Sequence, residues 1–170
     1  MKTNRTTSAL ARLSRIGIAT ATFLVSTSAA ADLKIAALME GRGSQSLIAG
    51  NLERADRSLP NNPSPTLSYA DTNNLCVLQI LQRSEATAVE TCQKALTKLQ
   101  SKTLKRRAKS ALSGEMYNNL AVAQLLSGDQ AAAQKSLAKA LSLASSANDV
   151  ISNAEVNEVA FQRRSAIVAK

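Results

Sequence analysis

The stretch EMYNNLAVAQLLSGDQAAAQKSLAKALSLAS, residues 115–145, decides the fold class of this chain. Apolar and small side chains recur in it every three or four positions, which is the period of an α-helix. A glycine interrupts the pattern halfway, and an aspartate directly after it can cap a second helix. Small residues let two antiparallel helices approach closely. The stretch therefore predicts a helical hairpin, carried by Tyr117, Leu120, Ala121, Gly128, Asp129, Ala133, Leu137, Ala140 and Leu141.

The composition extends this prediction to the whole chain. Beyond residue 31 the only aromatic residues are Tyr69, Tyr117 and Phe161, and the chain has neither Trp nor His. Strands favour β-branched and aromatic residues, whereas Ala, Leu, Gln and Lys favour helices. The sequence therefore predicts an all-α fold.

Capping and breaking residues divide the chain into seven predicted helices. The first runs from Asp32 to about Glu40, the second from the cap Ser44 to the prolines at 60–65, and the third from about Leu67 to Gln82. The fourth begins at the cap Ser84 and the fifth ends at Ser127. The sixth begins at the cap Asp129, and the seventh runs from Asn148 nearly to Lys170. The break after the first helix lies at residues 41–43, which include two glycines. Residues 101–114 either extend the fourth helix or begin the fifth.

The first 31 residues have the three parts of a secretory signal. Ala29–Ala31 offers a cleavage site, residues 16–25 form an apolar core, and the basic residues before that core are Lys2, Arg5, Arg12 and Arg15. Ten apolar residues are too few to span a bilayer, which takes about 20. We expect an exported chain that begins at Asp32, is not membrane-spanning after cleavage, and resides in the periplasm or is secreted; an uncleaved anchor is the alternative.

The residues of the opening hairpin resemble the tetratricopeptide repeat (TPR), in which an aromatic, a Leu-small pair, a turn glycine and an A-x3-apolar-x2-A helix follow one another. The same frame fits 45 residues earlier, with Arg83 at the turn and Thr72 at the aromatic position; its other positions are Leu75, Cys76, Ala88, Cys92, Ala95 and Leu96. A third copy would use Ile35, Ala36, Gly43, Leu52, Ala55 and Pro60. The resemblance implies a short solenoid over residues 32–170, with about three hairpins and a C-terminal capping helix. A generic bundle of α-hairpins is the alternative.

The repeat register places Cys76 and Cys92 in facing positions of one hairpin, equivalent to Ala121 and Leu137 of the other. Two cysteines in an exported chain favour a disulfide. Two buried thiols that act as small apolar side chains are the alternative.

The triplet Asn-Asn-Leu occurs at residues 73–75 and again at 118–120. In TPR proteins, asparagines in this part of the first helix line the concave groove and bind the backbone of a bound peptide. The resemblance therefore implies a peptide groove that contains Asn73, Asn74, Asn118 and Asn119, chiefly Asn74 and Asn119. An asparagine amide suits this role because it offers both a donor and an acceptor. Solvated asparagines, or asparagines that bridge two hairpins, are the alternative.

A run of seven cations lies between Glu90 and Glu115 without an intervening acid: Lys94, Lys98, Lys102, Lys105, Arg106, Arg107 and Lys109. If one helix continued through the run, Lys94, Lys98, Lys102 and Arg106 would share a face. Such a patch could contact an anionic surface. The alternative is a solvated face, or cations that complete a helix C-terminus.

The sequence carries no pattern for catalysis. It has no histidine, no G-x-S-x-G motif, no phosphate loop and no cluster of acids. We therefore predict no catalytic, metal-binding or cofactor-binding residues. We also predict no nucleic-acid partner, because the chain is exported, the basic run has no aromatic residues near it, and the exported part has only 17 basic against 12 acidic residues. The prediction is an exported TPR-like module that binds a protein or peptide on its concave surface. The alternative is an envelope-associated structural protein that contacts an anionic surface through residues 94–109.

Overall fold

A computed structural model of the chain describes residues 33–144 and Asn157. The predicted signal at 1–31 and most of the predicted seventh helix lie outside these residues. The described part contains six helices and no strand: α1 (Ser44–Ile48), α2 (Leu52–Ser58), α3 (Tyr69–Leu81), α4 (Glu85–Gln100), α5 (Arg106–Leu126) and α6 (Gln130–Ala144). For this part of the chain the all-α prediction is confirmed.

Residues 33–42, which we call the arm, are not the predicted first helix. Residues 33–38 have no helical hydrogen bonds, and a turn follows in which the Gly41 N–H donates to the Leu38 carbonyl. The arm's backbone instead bonds to side chains of other elements. A helix this short is marginal without tertiary support, so those external bonds decide its conformation. The third repeat copy therefore lacks its first helix, because Ile35 and Ala36 lie in the arm.

The predicted second helix is two short helices, α1 and α2. Gly50 separates them with a φ of 71°, a conformation that ends α1 and that glycine adopts readily. Asn51 then caps α2, because its side chain accepts the Arg54 N–H. Ser44 is not the predicted cap: it is the first helical residue, and its hydroxyl donates to the Met39 carbonyl at 3.2 Å. The predicted second helix is therefore divided at Gly50 into two short helices.

The hairpins α3–α4 and α5–α6 lie where the sequence predicted them. A reciprocal capping box between Ser68 and Asp71 starts α3, and the Asp129 side chain accepts the Ala132 N–H at 2.9 Å at the start of α6. The open stretch 101–114 divides: α4 ends at Gln100, residues 101–105 form a loop, and α5 begins at Arg106.

The turns of the two hairpins are the same structure 45 residues apart. At the first turn, the N–H groups of residues 82, 83 and 84 donate to the carbonyls of 78, 80 and 79. At the second turn, those of 127, 128 and 129 donate to 123, 125 and 124. Arg83, with a φ of 62°, holds the left-handed position that Gly128 holds with a φ of 91°. The predicted shift of 45 residues therefore matches the backbone in detail.

The helices pack in chain order, α3 on α4, α4 on α5 and α5 on α6. The largest apolar cluster joins α3, α4 and α5, and includes Cys76, Leu99, Met116 and Leu120. A second cluster joins α1, α2 and α3, and a third joins α5 and α6. The arm lies across these clusters and contacts all three through its apolar side chains.

Candidate functional site: an asparagine ladder that holds an extended segment

Five asparagines are buried side by side, each at most 1% exposed: Asn73, Asn74, Asn118, Asn119 and Asn157. The first two lie in the middle of α3 and the next two in the middle of α5. Asparagine is a weak helix former, and a buried amide without hydrogen bonds is costly. Their position therefore requires partners, and the arm supplies most of them. We call these five residues the asparagine ladder.

Three ladder asparagines each bind both backbone groups of one arm residue. Asn157 Oδ1 accepts the Lys34 N–H and its Nδ2 donates to the Lys34 carbonyl, both at 2.7 Å. Asn119 binds Ala36 in the same way at 2.8 and 2.8 Å. Asn74 binds Leu38 at 2.7 and 2.9 Å. The spacing of two residues is that of an extended strand, in which alternate residues direct both backbone groups to the same side.

The other two asparagines fill the second acceptor position of the arm's carbonyls. Asn118 Nδ2 donates to the Lys34 carbonyl at 2.9 Å, and Asn73 Nδ2 donates to the Ala36 carbonyl at 3.0 Å. A carbonyl oxygen has two lone pairs. Both pairs are therefore used at these two arm residues.

The ladder also links one helical element to the next. Asn119 Nδ2 donates to Asn73 Oδ1 at 3.0 Å, which joins α5 to α3. Asn157 Nδ2 donates to Asn118 Oδ1 at 2.7 Å. Every amide group in this network has a defined orientation, because each oxygen accepts and each nitrogen donates. The ladder is thus a continuous buried network rather than five separate contacts.

The turn at the end of the arm completes the ladder at Asn74. Asn157 and Asn119 each donate to an asparagine of the preceding pair, whereas Asn74 Nδ2 donates to the Arg42 carbonyl at 3.0 Å. Gly41 allows this approach: a Cβ at that position would lie 2.5 Å from Asn74 Nδ2 and 2.7 Å from the Ala70 carbonyl oxygen. Glycine is required here by the close contact, not by its backbone angles.

Two side chains of α3 fix the same end of the arm. Asp71 accepts the Arg42 N–H at 2.8 Å, and the Tyr69 hydroxyl donates to Glu40 at 3.0 Å. Burial alone would raise the pKa of the Asp71 carboxyl, but the hydrogen bonds from Arg42 and Ser68 outweigh it and lower that pKa. Burial, together with the bond to Glu40, raises the pKa of the Tyr69 hydroxyl. The inner end of the arm is therefore held by charged and polar groups as well as by the ladder.

The arm's apolar side chains pack on the helices beside the ladder. Leu33 contacts the cluster of α5 and α6, Ile35 contacts both clusters that involve α3, and Ala37 contacts the cluster of α1, α2 and α3. Leu38 is 6% exposed and belongs to the largest cluster. The Lys34 and Met39 side chains are exposed. The site therefore combines backbone recognition with apolar contacts at selected positions.

The structure brings the four sequence-predicted asparagines together, but the extended segment beside them belongs to this chain. They also bridge helical elements, and none of them is solvated. Binding of a partner peptide by these residues stays a prediction. Sequence reasoning missed Asn157. It lies 38 residues after Asn119, whereas the shift between the two asparagine pairs is 45 residues.

The two cysteines lie where the repeat register placed them. Cys76 on α3 and Cys92 on α4 have Cα atoms 5.2 Å apart and are paired as a disulfide. Both are buried in the cluster that also packs against the arm. The disulfide therefore joins α3, which carries Asn73 and Asn74, to α4.

The basic run does not form one helical face, because α4 ends inside it. Lys94 pairs with Glu90 on its own helix at 2.6 Å. Lys98 donates to the carbonyls of residues 64, 65 and 67, and so holds the proline-rich loop against α4. Lys109 donates to the carbonyls of Gln100 and Lys102 at the end of α4. The remaining members of the run are exposed: Lys102, Lys105, Arg106 and Arg107.

Within residues 33–144 and at Asn157, no group of acidic, Cys or His side chains could hold a metal ion, and no helix is long and apolar enough to cross a membrane. No family model, curated protein or solved structure matches the chain.

Proposed function

We propose that this chain is an exported protein-binding module whose asparagine ladder holds an extended segment of a protein partner by its backbone. The observation that carries the proposal is the paired recognition by Asn74, Asn119 and Asn157 of both backbone groups of alternate residues. This mode needs an extended ligand with free N–H groups at every second position. It uses the same backbone chemistry by which a peptide adds to a sheet edge.

Three features support a binding role over a purely structural one. A core that only had to be filled would be served by apolar side chains, because a buried polar network is stable only when every member is satisfied. The amide groups of the ladder have their hydrogen-bond partners only when an extended segment is present. Leu33 and Ile35 pack against apolar clusters. A ligand that binds in the same way is therefore expected to carry apolar side chains at these two positions.

The contact of residues 94–109 with an anionic surface has less support. Lys94, Lys98 and Lys109 are engaged with groups of this chain. The basic run is therefore divided between internal contacts, the loop 101–105 and the start of α5, which does not favour a single binding surface.

The test uses a full-length mature chain in which the arm cannot occupy the ladder. Ile35→Asp together with Leu38→Asp would place two carboxylates against apolar clusters, which is unfavourable enough to release the arm. We call this the arm-released variant. A fluorescent peptide with the sequence of residues 32–43 is the probe, and fluorescence anisotropy measures its binding. We expect saturable binding that Asn74→Ala plus Asn119→Ala removes, whereas Gln93→Ala, at an exposed position of α4, leaves it unchanged.

Backbone methylation of the peptide gives a matched control. N-methyl groups at residues 34, 36 and 38 remove the three N–H donors that the ladder accepts. N-methyl groups at 35 and 37 alter N–H groups that have no hydrogen-bond partner among the described residues. We expect the first set to abolish binding and the second to reduce it far less. Equal effects of the two sets would show that the ladder does not bind the peptide backbone.

A further inference from the structure

The ladder's contacts with the arm are of a kind that another chain could make. Every ladder bond to the arm ends on a backbone N–H or carbonyl, and none ends on an arm side chain. A foreign extended segment would offer the same groups in the same order. The exchange of one segment for the other would therefore leave the number of ladder hydrogen bonds unchanged.

The two ends of the arm are held very differently. At the inner end, Leu38 is buried, Gly41 touches α3, and Arg42 bonds to Asp71. At the outer end, Lys34 is exposed apart from its backbone, and Leu33 is only partly buried. If the predicted cleavage after Ala31 occurs, the arm is attached to the domain only at its inner end. Displacement would then begin at the outer end, at Asn157 and Asn118, and advance toward Asn74.

We propose that the arm is an internal competitor for the ladder, and that the partner's extended segment binds by displacing it. This inference rests on the proposed function. The arm specifies what the partner presents: an extended run with apolar side chains at the positions of Leu33 and Ile35, and no proline at the positions of residues 34, 36 and 38, where an N–H is required. Solvent-exposed side chains are accepted at the position of Lys34, so charge is tolerated there.

The tether sets how strongly the arm competes. A segment joined to its site by a short linker acts as a ligand at an effective concentration of about millimolar. A free peptide with the arm's own sequence must therefore approach that concentration to displace half of it. A partner that binds at lower concentrations has to add contacts beyond those of the arm. The arm thereby excludes segments that offer only generic backbone contacts.

Peptide binding to three full-length mature chains tests this. They are the wild type, the arm-released variant, and a control with Met39→Asp, which changes an exposed side chain of the same arm that makes no ladder bond. The probe is the fluorescent peptide of residues 32–43. Since each buried aliphatic side chain contributes about ten- to hundredfold to occupancy, we expect the arm-released variant to bind the peptide at least about tenfold more tightly than the wild type. The control should bind like the wild type.

Equal affinity of all three chains for the peptide, with the dependence on N-methylation retained, would overturn the internal competitor and leave the proposed function intact. An absence of binding to the arm-released variant, with its helical circular dichroism retained, would overturn the proposed function itself.

A second measurement needs no variant. Excess unlabelled peptide should accelerate hydrogen exchange of the wild-type chain's own amides at Lys34, Ala36 and Leu38, while the amides in the middle of α4 stay protected. Unchanged exchange of the arm's amides at peptide concentrations well above about millimolar would contradict displacement, even if the arm-released variant failed to fold.

Discussion

The hairpins α3–α4 and α5–α6 share one framework and differ in what holds it together. Both carry an asparagine pair at equivalent positions, and both turn through the same three backbone hydrogen bonds. The first hairpin adds a disulfide between Cys76 and Cys92 and places Arg83 in the left-handed position of the turn. The second hairpin has Ala121 and Leu137 where the first has cysteines. The shared asparagines face the arm, whereas the cysteines join the two helices of the first hairpin.

A buried glutamine shows the same division on a smaller scale. Gln124 of α5 accepts the Ser136 hydroxyl at 2.7 Å, whereas the equivalent Gln79 of α3 has a side-chain oxygen with no partner among the described residues. The hairpins therefore agree where they bind the extended segment and vary where they only pack against each other. Agreement of this kind is what a binding surface requires of its two halves.

The largest expected effect comes from the ladder itself. Asn119→Ala removes three hydrogen bonds, to both backbone groups of Ala36 and to Asn73. Asn74→Ala removes three hydrogen bonds to the arm and a longer one, of 3.5 Å, that Asn74 Oδ1 accepts from Asn73 Nδ2. Because the backbone and amide groups that lose their hydrogen-bond partners remain buried, we expect each change to lower the free energy of unfolding by about 3 kcal/mol. Urea denaturation monitored by circular dichroism measures this.

The arm-released variant separates the two asparagines. In that background Asn74→Ala should become nearly neutral, because its three bonds to the arm are absent and only the 3.5 Å bond from Asn73 remains. Asn119→Ala should still cost about 1 kcal/mol, because its bond to Asn73 joins the helices. Equal losses for Asn74→Ala with and without a docked arm would show that the three bonds to the arm are not what Asn74 contributes.

The disulfide is the next largest difference between the hairpins. Cys76→Ala with Cys92→Leu gives the first hairpin the residues of the second. The change opens a cross-link between residues separated by 16 positions, and we expect it to lower the free energy of unfolding by about 3 kcal/mol. Guanidinium denaturation with and without reductant measures the effect. Reductant should destabilise the wild type and leave the double variant unaffected; a wild type insensitive to reductant would show that the cross-link does not form in solution.

The turns offer the smallest effect. A non-glycine residue in the left-handed region is strained by about 1 kcal/mol, part of which is offset by the lower chain entropy of a non-glycine residue when unfolded. Arg83→Gly should therefore stabilise the chain by about 0.5 kcal/mol, and Gly128→Arg should destabilise it by a similar or larger amount. Thermal denaturation of both variants is the measurement. A loss of stability in Arg83→Gly would mean that the Arg83 side chain contributes more than its backbone strain takes away.

The hairpins were predictable because their signals are local. Helical spacing, the turn glycine and the cap at Asp129 all lie within one stretch, and the 45-residue shift carried them to the first hairpin. The arm was not predictable from local signals. Residues 33–40 have helical spacing, but their backbone bonds go to asparagines 36 to 123 positions away. Long-range pairing of this kind overrides local propensity, and a single sequence does not display it.

The asparagines illustrate the same limit. Two pairs repeat with their neighbouring leucine, so their shared role was visible in the sequence. Asn157 stands without a second asparagine beside it and at a different spacing. The hydrogen bond from Asn74 to the Arg42 carbonyl has no sequence signature beyond the nearby Gly41.

The ladder holds the arm as an extended peptide by alternate residues. Residue-resolved hydrogen exchange of the wild-type chain, residues 32–170, tests this binding mode most directly. The amides of Lys34, Ala36 and Leu38 should be protected, because they donate to Asn157, Asn119 and Asn74, while those of Ile35 and Ala37 should exchange much faster. Equal protection of the consecutive amides from Ala36 to Glu40 would indicate the helix that the sequence predicted. Uniformly fast exchange would show that the arm is not bound, and either result would contradict binding of the arm through alternate residues.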